Sequence, residues 1–104
     1  MIEITLQQKP NQSFSFDMDG LSYDITLKTA SSVVADVSIG NEIVIQGMRC
    51  MAYRPIIPYE YLAQEGGNFF FITDNGEAPD HEKFGSSQSL FYLTAEEVGE
   101  LNAY

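Results

Sequence analysis

Apolar and polar residues alternate along most of this chain. Ile2, Ile4 and Leu6 are separated by Glu3, Thr5 and Gln7, the period-two pattern of a strand with one buried face. Lys9-Pro10-Asn11 interrupts it, and from Ser13 the alternation resumes, with Phe14, Phe16 and Met18 on one face and Ser13, Ser15 and Asp17 on the other. This run ends in Asp19-Gly20, after which Leu21, Tyr23, Ile25 and Leu27 alternate with Ser22, Asp24, Thr26 and Lys28. Two strands joined by a two-residue type I′ loop are predicted, a hairpin. Beyond a polar break at 29–32, Val33, Ala35, Val37 and Ile39 lead to Gly40-Asn41 and a return strand over 42–46, a second hairpin.

The segment 48–67 is less regular. Pro55 and Pro58 bracket Ile56-Ile57 and withhold two backbone donors from any central ladder, so the segment reads as an edge strand followed by an aromatic-rich connection. Asn68 to Thr73, centred on Phe69-Phe70-Phe71-Ile72, reads as a short buried strand. A turn-rich loop over 74–87 precedes a last strand over 89–93. Thr94-Ala95-Glu96-Glu97 matches a capping box, which predicts a short helix over about 95–102. The expected fold is all-β: one domain over 1–104, a small antiparallel sandwich or barrel of about 6–8 short strands with a short C-terminal helix.

At 104 residues the chain can bury one core but not a core plus a separate catalytic domain. Seven Phe and six Tyr supply the bulk of that core in the absence of Trp. Fifteen acidic residues against five basic ones give a net charge of -10, a field that repels phosphate backbones and anionic membrane surfaces, so neither nucleic acid nor membrane is an expected ligand. The single cysteine, Cys50, lies in an apolar stretch and reads as a small hydrophobe in a reducing compartment. The opening residues lack a basic n-region and a continuous apolar segment, and no stretch approaches the roughly 20 apolar residues that span a bilayer; neither export by a signal peptide nor anchoring is expected.

Candidate chemistry is sparse, and no enzyme activity, cofactor or metal is expected. His81 is the only histidine, and its loop position reads as a solvated side chain rather than a general base. Asp80-His81-Glu82 looks ligand-like, yet one His and one Cys cannot supply a four-ligand zinc site. Asp74-Asn75-Gly76-Glu77 begins like a calcium loop and then fails its spacing. Gly66-Gly67 lacks the flanking pattern of a phosphate loop. Asn11-Gln12-Ser13 matches a glycosylation triplet but reads better as turn chemistry leading into a strand.

More informative is the irregular segment, where Tyr53, Tyr59 and Tyr61 accompany Arg54, with Ile56 and Ile57 between the prolines. Tyr and Arg are enriched at protein interfaces, and these residues are the candidate contact surface, the alternative being that they cover the open end of a sheet. The first strand over 2–7, carrying Ile2 and Ile4, is the candidate edge for pairing with a neighbour.

One further pattern runs through the whole chain. A short strand, then Pro10-Asn11-Gln12-Ser13-Phe14, a hairpin turning at Asp19-Gly20 into Leu21-Ser22-Tyr23-Asp24-Ile25-Thr26-Leu27, then Phe70-Phe71-Ile72-Thr73-Asp74 with Gly76, Pro79, Phe84-Gly85 and a closing Ser89-Leu90-Phe91-Tyr92-Leu93: in order and spacing this resembles the small baseplate plug proteins of contractile-tailed phages. The tail over 94–104 extends past the strand where such proteins commonly stop. The resemblance implies a structural virion component made in the bacterial host cytoplasm and placed near the hub and spike of a tail baseplate. Its implied partners are hub, spike and wedge proteins or further copies of itself. The competing reading is a cytoplasmic small-molecule-binding or adaptor β-barrel, which would enclose an apolar cavity.

Overall fold

The alternating runs form strands, the first of them shorter than its pattern predicts. The computed structural model describes residues 2–18, 20–57 and 67–101. Within them lie β1 (Ile2–Ile4), β2 (Asn11–Met18), β3 (Leu21–Thr29), β4 (Val33–Ile39), β5 (Glu42–Arg49), β6 (Asn68–Thr73), β7 (Gln88–Leu93) and α1 (Ala95–Leu101). Met18 pairs directly with Leu21, and Gly20 takes a left-handed φ of 78°, as the two-residue turn requires. The second hairpin closes where Ile39 pairs with Glu42, with Gly40 and Asn41 both left-handed.

All strand pairs are antiparallel and fall into two sheets, β2-β3-β4-β5 and β1-β7-β6. Their inner faces make one core. Tyr23, Ile25, Leu27, Ala35 and Val37 come from the four-stranded sheet, and Phe69, Phe71, Leu90 and Tyr92 from the three-stranded one. At its centre Tyr23, Phe69 and Tyr92 stand with ring centroids 5.2 to 5.7 Å apart, and the partly buried Phe16 packs against all three from the rim at 5.0 to 6.5 Å, in tilted and edge-on geometries that suit the ring quadrupoles. Each large side chain buried here contributes about 1.5–3 kcal/mol of transfer free energy.

The edges of the sheets differ in protection. The outer edge of β6 is covered by the segment 52–57: Tyr53 N–H donates to the Phe71 carbonyl and Ile56 N–H to that of Phe69, both at 2.9 Å. Pro55 sits opposite Phe70 between these two bonds, where its missing donor costs nothing. This seating corrects one expectation. Ile56 and Ile57 are 2% and 0% exposed, so they belong to the core and not to a contact surface, drawn inward because Asn68 binds Ile57 through both its backbone N–H and its carbonyl.

On the far side of the molecule β5 carries a bulge. Ala35 faces Met48 and Val37 faces Ile45, so Asp36 opposes two residues, Gln46 and Gly47. Gly47 adopts a φ of 64°, and its N–H donates to the Asp36 carboxylate at 2.7 Å. The same carboxylate pairs with Lys28 at 2.6 Å. Such a bulge bends an edge strand away from regular pairing.

The loop over 74–87 is ordered by short 3-10 turns at Asp74–Gly76 and His81–Lys83 and by one buried side chain. Gln88 is fully buried; its Oε1 accepts from Asp80 N–H at 2.7 Å and its Nε2 donates to the Ala78 carbonyl at 3.0 Å. His81 is only 24% exposed at its side chain, half-buried where the sequence suggested a solvated position. The capping box forms as expected: Glu97 N–H donates to Thr94 Oγ1 at 3.3 Å and Thr94 N–H to Glu97 Oε1 at 3.1 Å.

Candidate functional site

The turn that follows β5 produces the most distinctive surface among the described residues. Arg54 N–H reaches back to the Met51 carbonyl at 3.4 Å, closing a turn whose third residue is Tyr53, with a φ of 60°. That position favours glycine, and an L-residue with a bulky side chain costs on the order of 1 kcal/mol there. Two contacts hold the tyrosine in place. Its hydroxyl donates to the Thr73 carbonyl at 2.7 Å, and its ring lies against Gly76. The ring nevertheless remains 56% exposed, beside Met51 at 44%.

Beside this aromatic is a small concavity of about 140 Å³ lined by Arg49, Met51, Ala52, Gly76 and Pro79. The electrostatics are unusual for so acidic a chain. Lys28 and Lys83 are paired with Asp36 and Glu77, whereas among the described residues Arg49 and Arg54 are exposed and have no ion-pair partner. Exposed Tyr, Met and unpaired Arg around a shallow depression are the side chains from which binding hot spots are built.

Of the sequence candidates, Tyr53 and Arg54 lie in this patch, Ile56 and Ile57 are core, and Tyr59 and Tyr61 lie outside the described residues. Ile2, 37% exposed, and the half-buried Ile4 lie on β1, the edge strand paired with β7. That strand ends at Ile4 instead of continuing to Gln7, and Gln12 ties the following loop by accepting from Gln7 N–H and donating to its carbonyl. Arg49 and Met51 were not singled out from the sequence; the signal was there, an arginine amid Gly47-Met48 and Cys50-Met51.

Cys50, 3% exposed, has its thiol pushed up to about 12 by burial, so it is no nucleophile at neutral pH. Among the described residues no three His, Cys, Asp or Glu side chains converge as a metal site would require, and no helix is long and apolar enough to cross a membrane.

Fold and surface together define a small two-sheet antiparallel β module whose most distinctive described surface is the exposed cluster of Arg49, Met51, Tyr53 and Arg54. The chain belongs to a family of phage baseplate plugs: the family model described as cyanophage baseplate Pam3 plug gp18 matches residues 1–96. The match runs from before β1 into the first turn of α1. No curated protein matches the sequence.

Proposed function

We propose that this protein is a non-catalytic structural part of a contractile tail baseplate, docking near the hub and spike through the surface formed by Arg49, Met51, Tyr53 and Arg54. Family membership supports the baseplate setting. The observation that carries the docking surface is the pair of exposed arginines, without an ion-pair partner among the described residues, flanking two exposed apolar side chains in a chain with three times as many acidic as basic residues. An exposed arginine with no ion-pair partner among the described residues is available to an acidic neighbour. The Tyr53 backbone, held in a costly conformation by its own side chain, presents the ring pre-ordered, which lowers the entropy cost of docking. Ile2 and Ile4 at the β1 edge offer a second contact.

A small-molecule-binding barrel would need an enclosed apolar cavity of roughly 300–1,000 Å³. The concavity at the patch is about 140 Å³, and a larger one of about 550 Å³ is a surface depression along Asp17, Met18 and Leu21 at the tip of the first hairpin. Light scattering coupled to gel filtration, on the protein alone and mixed with the hub and spike proteins of its own tail, tests the docking reading. A complex that forms with the native chain and is lost in Arg54→Glu supports it; a native chain that binds neither protein overturns it.

A further inference from the structure

Among the described residues β2 is the outer strand of its sheet, with no strand beyond it. It is eight residues long, without proline or bulge, and pairs with β3 in unbroken register from Asn11↔Lys28 to Met18↔Leu21. The other edges are each closed or blunted. The segment 52–57 covers β6, the Gly47 bulge bends β5, and β1 has three residues. An unprotected regular edge is a liability that small β domains ordinarily avoid.

The hydrogen-bond parity of β2 follows from the turn. Met18 and Leu21 flank a two-residue loop and therefore exchange backbone bonds, so Phe16, Phe14 and Gln12 also bond inward to β3. The opposite set on β3 agrees, since the Ser22 carbonyl accepts from Gly40 N–H across β4. The backbone N–H and C=O groups of Asn11, Ser13, Ser15 and Asp17 thus point outward, and all four residues are exposed. Their side chains share the solvent face with Asp24. Asp17 accepts from Ser22 Oγ and Asp24 from Ser15 Oγ, both at 2.6 Å, and among the described residues no cation pairs with either carboxylate. On the inner face Phe14, Phe16 and Met18 are only partly buried at the rim of the core.

We infer that β2 receives an extended segment of another baseplate protein as a fifth strand of its sheet, one with a basic side chain opposite Asp17, a long basic side chain reaching across Ser15 toward Asp24, and apolar side chains continuing the row of Phe14, Phe16 and Met18. Backbone bonds to the outward groups provide the affinity and the alternating side chains the selectivity. A second copy of this chain is the poorer occupant, because its own β2 would bring the same carboxylates and a second charge of -10. The inference rests on the baseplate reading above, but on a surface separate from the arginine patch.

Amide hydrogen exchange, measured residue by residue on the free protein and on baseplates purified from the virion, tests it. In the free protein Gln12, Phe14 and Phe16 should exchange slowly and Ser13, Ser15 and Asp17 fast; in the baseplate the second set should slow at least 100-fold. Ser15→Pro removes one outward donor without touching the β3 ladder and should reduce incorporation at least tenfold, with Ser15→Ala, which keeps that donor, incorporated normally. Outward amides that stay fast in the baseplate overturn the strand addition while leaving the baseplate role standing. Absence of the chain from the baseplate overturns both. Slowing in the free protein that grows with concentration overturns the choice of occupant in favour of a second copy.

Discussion

The backbone N–H of Gly67 donates to the hydroxyl of Tyr92 at 3.0 Å, and the same N–H is shared with the Tyr23 hydroxyl at 3.1 Å. One small residue thereby joins the two sheets, since Tyr23 belongs to β3 and Tyr92 to β7. The approach is so close that a Cβ on Gly67 would lie 1.8 Å from the Leu93 carbonyl oxygen and 2.6 Å from the Tyr92 ring. Backbone and a buried ring cannot give way as the end of a flexible chain can. Gly67→Ala should therefore destabilise the protein by at least about 3 kcal/mol. Urea unfolding followed by circular dichroism checks this, and a midpoint within error of the native chain refutes it.

The polar residues of the core suggest a second experiment. Gln88 is isosteric enough with leucine to keep the strand, but Gln88→Leu leaves Asp80 N–H and the Ala78 carbonyl without their partner. The expected cost is about 2–4 kcal/mol, and it should be local: proteolysis should cut first within 74–87, ahead of global unfolding. Simultaneous loss of all structure would show that the loop is not held by this side chain.

Much of the fold was legible because period-two alternation and glycine turns act over a few residues. Asp19-Gly20 and Gly40-Asn41 placed both hairpins, and Thr94 with Glu97 placed the helix start. What alternation does not encode is how sequence-distant pieces seat on one another. The pair Ile56-Ile57 between prolines reads equally as surface or core; its burial is decided by Asn68, whose amide captures the Ile57 backbone from eleven positions away. The bulge at Gly47 is hidden for a similar reason, because it depends on the Asp36 carboxylate across the ladder. At the candidate site Tyr53 and Arg54 were visible as residue types, but the left-handed turn that presents them was not.

Acid sensitivity should be traceable to that bulge. Lys28 first, and then the Gly47 N–H, hold the Asp36 carboxyl below its ordinary value of 3.8. A carboxyl depressed in the folded state contributes stability that is present above its unfolded value and is lost as pH falls through the folded one. Asp36→Asn should cost about 1 kcal/mol at pH 7, a figure kept small by solvent screening at the surface. The difference between the two proteins should shrink as pH falls below about 3.8. Thermal melts at several pH values decide it; a gap that widens in acid contradicts the assignment.

The buried thiol gives a readout of opening. With its sulfur raised to about 12 by burial, Cys50 should resist an aromatic disulfide reagent at pH 8 in the native protein and react within seconds once unfolded. The rate in the native state then reports how often the segment after β5 lifts away. If Tyr53 anchors that segment through its bond to Thr73, Tyr53→Phe should speed labelling by roughly fivefold to tenfold, the equivalent of one net hydrogen bond of about 1 kcal/mol. Tyr53→Gly separates two effects: it relieves the backbone while also removing the anchor, so a labelling rate below that of Tyr53→Phe would show that the strained conformation promotes opening in addition to the lost bond. Unchanged labelling in both variants would mean that Ile56 and Ile57 alone hold the segment down.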